Sequence, residues 1–196
     1  MAPEALVFDL GGVLLPFDRE RRVGAVAERL GIEAASARAL FAGDLPGRMD
    51  LGLADEGDFA RAFSVLGGRA VERDEARSLT LSAFEAPNRE LWALARAARR
   101  ALQVAAFTDN PVFVREVFPD QDVLAPVVFS SEIGAVKPSD EAFAAMEARL
   151  GVAPGAIVFV DDSGANVEAA HRRGWDAILY RDNAAVVAEL AKRGIP

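Results

Sequence analysis

The segment Leu6-Val7-Phe8-Asp9-Leu10-Gly11-Gly12 decides the reading of this chain, because an apolar run is interrupted by a carboxylate and then closed by two glycines. Leu6 to Leu10 reads as a short strand buried on both faces, and four further apolar runs rich in Val, Ile and Phe resemble it. They are Leu102 to Phe107, Val127 to Phe129, Ala156 to Val160 and Ala177 to Tyr180. Segments with helical period lie between most of them: Asn88 to Arg99, Pro111 to Phe118, Ser139 to Leu150 and Gly164 to Arg173. Alternating strands and helices predict an α/β fold built on a doubly wound, mostly parallel sheet.

One gap breaks the alternation. The stretch from Asp18 to Glu85 is far longer than a single crossover requires and contains no convincing strand. Its Ala, Leu, Phe and Arg content falls into four helical pieces, at Glu20 to Leu30, Ala34 to Phe41, Glu56 to Leu66 and Glu72 to Phe84. Breaks are expected at Gly31, from Gly43 to Gly52, and at Gly67-Gly68. The predicted organisation is a core of residues 1–17 and 86–196 with a small helical cap, residues 18–85, inserted after the first strand.

Composition narrows the function. With 196 residues, 52% of them hydrophobic, the chain can bury one substantial core. No apolar run approaches the roughly 18 residues that span a bilayer, and the N-terminal apolar segment lacks a basic lead-in, so neither a membrane span nor a signal peptide is expected. The absence of cysteine excludes disulfides, a thiolate zinc site and a cysteine nucleophile, and makes the cytoplasm the expected compartment. A net charge of -8, without dense Lys/Arg runs beyond pairs such as Arg21-Arg22, predicts no nucleic-acid partner. A monomer or homodimer acting on a small molecule is expected.

In open α/β sheets, ligands bind beyond the carboxyl ends of the strands. Those ends carry Asp9, then Thr108-Asp109-Asn110, then Asp161-Asp162-Ser163-Gly164, while Lys137 follows the third strand just before a helix. Taken singly, each residue has a structural explanation as a turn former, a helix cap or a solvated lysine. Jointly, three carboxylates, a hydroxyl and an ammonium at successive strand ends are costly to crowd together unless they bind something. A phosphate with a divalent cation reconciles them. Carboxylates without cysteine or clustered histidine favour a hard metal, and Mg²⁺ prefers one or two carboxylates, water and phosphate oxygen. Thr108 can donate to a phosphoryl oxygen, Lys137 can neutralise charge, and Gly11-Gly12 let the backbone approach the transferring group. Asp9 is the carboxylate placed to act as nucleophile.

These residues resemble the haloacid dehalogenase-like hydrolases, in the subgroup with a helical cap between the first and second motifs. The resemblance rests on FDLGGVL from Phe8, on Thr108, on VKPS around Lys137 and on VDDSGANVEAA from Val160. It implies a Rossmann-like core with the active site between core and cap. It further implies that Asp9 forms an aspartyl phosphate, Thr108 binds a phosphoryl oxygen and Lys137 bridges nucleophile and phosphate. Mg²⁺ would be held by Asp9, by the Gly11 carbonyl and by Asp162 directly, with Asp161 bound directly or through water.

Two positions depart from the family pattern. Most phosphatases of the superfamily carry an aspartate two residues after the nucleophile, as general acid and base, where this chain has Gly11. Losing such an acid costs about 10²- to 10⁴-fold, which favours substrates with good leaving groups such as a sugar 1-phosphate. Asp109 stands where asparagine is common, and its carboxylate must turn away from a bound phosphate or meet a cation. Arg48, in the glycine-flanked turn from Leu45 to Gly52, is the cap cation expected to reach the substrate. A metal-independent dehalogenase of the same fold and a non-catalytic phosphate-binding domain are the competing readings.

Overall fold

The computed structural model describes residues 2–120 and 122–195. The chain begins with β1 (Ala5–Phe8), continues through α1 (Arg19–Leu30), α2 (Ala34–Ala42), α3 (Asp44–Asp50), α4 (Glu56–Gly67) and α5 (Arg73–Leu81), and reaches α6 (Arg89–Ala98) and β2 (Gln103–Thr108). After a 3-10 helix at Val112–Val117 come β3 (Val127–Phe129), α7 (Ser130–Ile133), α8 (Asp140–Leu150), β4 (Ile157–Asp161), α9 (Gly164–Arg172), β5 (Asp176–Leu179) and α10 (Asn183–Lys192). The five strands form one parallel sheet in the order β3-β2-β1-β4-β5. The expected α/β class is therefore the observed one. The chain fills one side of β1 and then crosses to the other, which makes the carboxyl end of β1 the topological switch point.

Strand alternation sends side chains to two cores. Leu6 and Phe8, Val104 and Ala106, and Val158 and Val160 face a layer that includes Leu91 of α6 and Leu190 of α10. Ala5 and Val7, Ala105 and Phe107, and Ile157 and Phe159 face α8 and α9. There Phe143 meets Trp175 edge-on at 5.1 Å, a pairing that adds about 0.5–1.5 kcal/mol to simple burial. Both tryptophans are packing residues with satisfied N–H groups: Trp92 donates to Leu14 O at 3.1 Å and Trp175 to Glu147 Oε1 at 2.9 Å.

The insertion between β1 and β2 has its own apolar cluster, including Val23, Val26, Phe59 and Phe63. Asp18 opens α1 by accepting from the N–H groups of Glu20 and Arg21, and Gly31 closes it in the left-handed conformation. The stretch contains five helices rather than the four expected. Asp44–Asp50, read as a break, is helical because Pro46 falls within the first turn, where a missing N–H forfeits no helical bond. One other reading changes, since residues 112–117 wind as a 3-10 helix. After the last strand comes α10, an element without an expected counterpart, capped by Asp182, which accepts from the Ala185 N–H.

Candidate active site

Parallel pairing brings the reactive groups together. Phe8 is in register with Val160, and the Asp9 N–H continues the ladder to Val160 O at 2.8 Å, so Asp9 and Asp161 emerge side by side from adjacent strands. Lys137 approaches from beneath them. Its Nζ donates to Asp9 Oδ1, Asp161 Oδ2 and Phe107 O, each at 2.8 Å, which uses all three of its N–H bonds. Lys137 thus joins Asp9 to Asp161.

Asp161 is fully buried and saturated. Its Oδ1 accepts from the Ser163 N–H at 2.8 Å and from Asn166 Nδ2 at 3.0 Å, and its Oδ2 accepts from Lys137 and from Asn166 Nδ2 at 3.1 Å. Asp162 is exposed. One carboxylate oxygen each of Asp9, Asp161 and Asp162 lies within 4.8 Å of the others. Three carboxylates facing one ammonium leave two negative charges, and the donors are all hard oxygens, so the site suits a divalent cation such as Mg²⁺. Burial, the largest influence, pushes Asp9 up to about 7 against the opposing pull of Lys137, with Asp161 adding to the rise. An added cation would lower it again and keep the nucleophile ionised.

Gly12 makes this approach possible. It adopts φ 84°, and a Cβ on it would overlap Asp162 Oδ2. Gly12→Ala should therefore displace Asp162 and add about 1–3 kcal/mol of backbone strain. The expected result is a lowered Tm together with weaker binding of added Mg²⁺, read by thermal unfolding and by calorimetric metal titration. An unchanged metal titration would contradict this account.

A cavity of about 820 Å³ opens above these groups. Asp9, Gly11, Gly12, Asp109, Lys137 and Asp162 line its floor, and Arg19, Arg22, Arg38, Phe41 and Asp50 line the wall supplied by the insertion. Thr108 and Asp161 lie buried just below. The Thr108 hydroxyl accepts from Asn110 Nδ2 at 2.8 Å, which leaves its own proton to donate. Asp109 has turned so that its Oδ1 accepts from the Lys137 backbone N–H at 3.0 Å, and burial raises its pKa while the Lys137 charge opposes that rise.

Arg48 requires correction. It is not among the residues lining the cavity, because its guanidinium folds back to donate to Leu53 O at 3.3 Å within its own turn. The insertion's cation with the deepest setting is Arg22, whose guanidinium lies 3.9 Å from the Phe41 ring centroid with Nε buried and unpartnered. Burial, reinforced by Arg19, lowers its pKa to about 10, against the pull of Asp50. Sequence reasoning also passed over Asn166 and Asp50. Asn166 carried a signal, since it stands in the first turn of α9 directly after the Asp161-Asp162 pair.

The sequence matches the family model of haloacid dehalogenase-like hydrolases over residues 3–174. A phosphatase of Mycobacterium tuberculosis is 31% identical, with 91% of this chain and 88% of the relative covered. The D-ribitol-5-phosphate phosphatase of Bacteroides thetaiotaomicron is 24% identical over 91% of this chain and 92% of its own. Among solved structures, an HAD family enzyme of Bacteroides thetaiotaomicron in complex with magnesium and inorganic phosphate has a TM-score of 0.84 at 21% identity, covering 95% of this chain and 99% of that one.

Proposed function

Because the chain belongs to the haloacid dehalogenase-like hydrolases, we propose that it is a magnesium-dependent phosphatase of small phosphate esters in which Asp9 forms an aspartyl phosphate. The observation that carries this reading is the cluster of Asp9, Asp161 and Asp162 oxygens tied to the Lys137 ammonium at the switch point of the sheet. Mg²⁺ would be held by Asp162, Asp9 and the Gly11 carbonyl, with the already saturated Asp161 acting through water. It would supply positive charge to the phosphoryl oxygens. Lys137 fixes one oxygen of Asp9 and leaves the other free to attack phosphorus. In this proposal the Thr108 hydroxyl, whose proton is uncommitted, would donate to a phosphoryl oxygen from its buried position below the cavity, while Asp109 has one oxygen occupied by the Lys137 N–H.

Residues 18–85 act in this proposal as a cap that closes the cavity over a small phosphorylated metabolite in the cytoplasm. Gly11 by itself would restrict the enzyme to esters with good leaving groups, such as sugar 1-phosphates. Ribitol 5-phosphate, named for one relative, is instead a primary alkyl ester, whose leaving oxygen needs a proton that residue 11 does not carry. Names of phosphatase relatives support phosphorus over carbon as the centre attacked. So does the carboxylate cluster, which a halide displacement at carbon would leave without a task.

A panel of phosphate esters assayed with Mg²⁺ and after complete chelation tests the reading. Chelation should cost about 10²- to 10³-fold, corresponding to several kcal/mol of charge stabilisation, and added Mg²⁺ should restore the rate. Hydrolysis that survives chelation would overturn it.

A further inference from the structure

Phosphoryl transfer from an alkyl ester needs a proton at the leaving oxygen, and Gly11 has no side chain to provide one. Asp50, the last residue of α3, is half-buried in the wall of the cavity that Asp9, Gly11 and Gly12 floor. Its position is anchored to the core. Gly52, at φ 70°, packs so closely on α7 that a Cβ would overlap Ser131 O, and the Ser131 hydroxyl donates to Asn110 O at 3.1 Å. The turn after Asp50 is thereby tied to the loop that carries Asp109.

We propose that Asp50 is the general acid of this active site, protonating the leaving oxygen on the side opposite Asp9. The proposal rests on Asp9 being the phosphatase nucleophile. Two charged groups face Asp50: Arg22 from α1 and Asp109 from the loop after β2. Asp109 is favoured as an anion by the Lys137 N–H and ammonium, whereas Asp50 has only Arg22 to oppose its burial, so of the two carboxyls Asp50 is the one with less to hold it ionised. Burial first, and Asp109 second, push Asp50 up to about 7, a value suited to giving and taking a proton near neutrality.

The proton balance closes over both half-reactions. As the Asp9 oxygen bonds to phosphorus, the bond from phosphorus to the ester oxygen breaks, that oxygen keeps the electron pair, and it takes the Asp50 proton. The alcohol then leaves. Water enters from the vacated side and bonds to phosphorus while giving one proton to the Asp50 carboxylate. The bond between phosphorus and Asp9 breaks with its pair returning to Asp9, and inorganic phosphate departs with Asp50 protonated again.

The test compares Asp50→Asn with the unsubstituted enzyme, in Mg²⁺, on a panel of primary alkyl phosphates and on p-nitrophenyl phosphate, whose leaving group needs no proton. The readout is kcat/KM, which covers transfer to Asp9 and excludes the later hydrolysis. The alkyl esters should lose about 10²- to 10⁴-fold and the aryl ester less than about 10-fold. A measurement on the unsubstituted enzyme stands beside it: kcat/KM for alkyl esters should fall above about pH 7, where Asp50 loses its proton, while the aryl ester shows no fall of that origin. Equal losses on both ester types, no loss on either, or an unsubstituted enzyme that hydrolyses only the aryl ester would overturn the role of Asp50 and leave the phosphatase reading standing. Failure of the unsubstituted enzyme to hydrolyse any ester would overturn the phosphatase reading itself, and Asp50's role with it.

Discussion

Asp9→Asn yields a folded protein whose turnover of every phosphate ester falls by roughly 10⁴- to 10⁶-fold, the range seen when a covalent nucleophile is removed. An amide nitrogen is too weakly basic to attack phosphorus, and neither carboxylate clustered with Asp9 takes its place. Asp161 is fully buried with both oxygens engaged, and Asp162 stands with the metal-suited cluster. The fold should tolerate the change. The amide oxygen can still accept from Lys137 Nζ, and a neutral group replaces a carboxylate whose pKa burial, and Asp161 beside it, had pushed up to about 7. Thermal unfolding without added metal should therefore show a Tm equal to or above that of the unsubstituted protein. Undiminished turnover would remove the nucleophile from the proposal; lost turnover together with a collapsed Tm would make the loss one of folding.

The sheet was legible because the strands are short, mostly buried apolar runs, and burial of alternate residues on two faces leaves that pattern whatever the neighbouring elements are. The floor of the site was legible for the same reason, since Asp9, Thr108 and Asp161 occupy strand ends. The wall was not. Asp50 becomes a candidate acid only because Arg22 and Asp109, distant in sequence, close around it, and no local pattern encodes that meeting. Arg48 illustrates the opposite error, in which a glycine-flanked position suggested reach but the side chain satisfied itself on Leu53 O. A better signal existed for Arg22. It stands one helical turn before Val26 on the buried side of α1, and long side chains at such spacing share a face.

Lys137→Met should lose about 3–5 kcal/mol of stability as well as activity, because it removes the cation from a buried network and leaves the anions behind. Methionine fills a similar volume beside the Phe107 and Phe159 rings, which lie 5.1 and 5.6 Å from Nζ, so cavity formation contributes little. What remains is the Phe107 carbonyl without its donor, and Asp9 and Asp161 without the ammonium that each touched at 2.8 Å. The loss should depend on pH with a definite sign. Burial pulls the Lys137 pKa down, but Asp9, Asp161 and Asp109 outweigh it and raise it above its ordinary value, so the lysine stays charged through the neutral range and its contribution fades only above about pH 10.4, the unfolded value. The carboxylates behave differently. Asp9 is already pushed up to about 7, and without the ammonium it binds its proton more tightly still. A folded state that holds a proton the unfolded state has released loses stability as pH rises. The deficit of Lys137→Met, measured by urea unfolding in the absence of metal, should thus be larger at about pH 8 than at about pH 5, where protonation relieves the unpaired charge. A deficit identical at both would mean that Lys137 stabilises the fold by packing and hydrogen bonding alone, and the electrostatic account of the site would have to be abandoned.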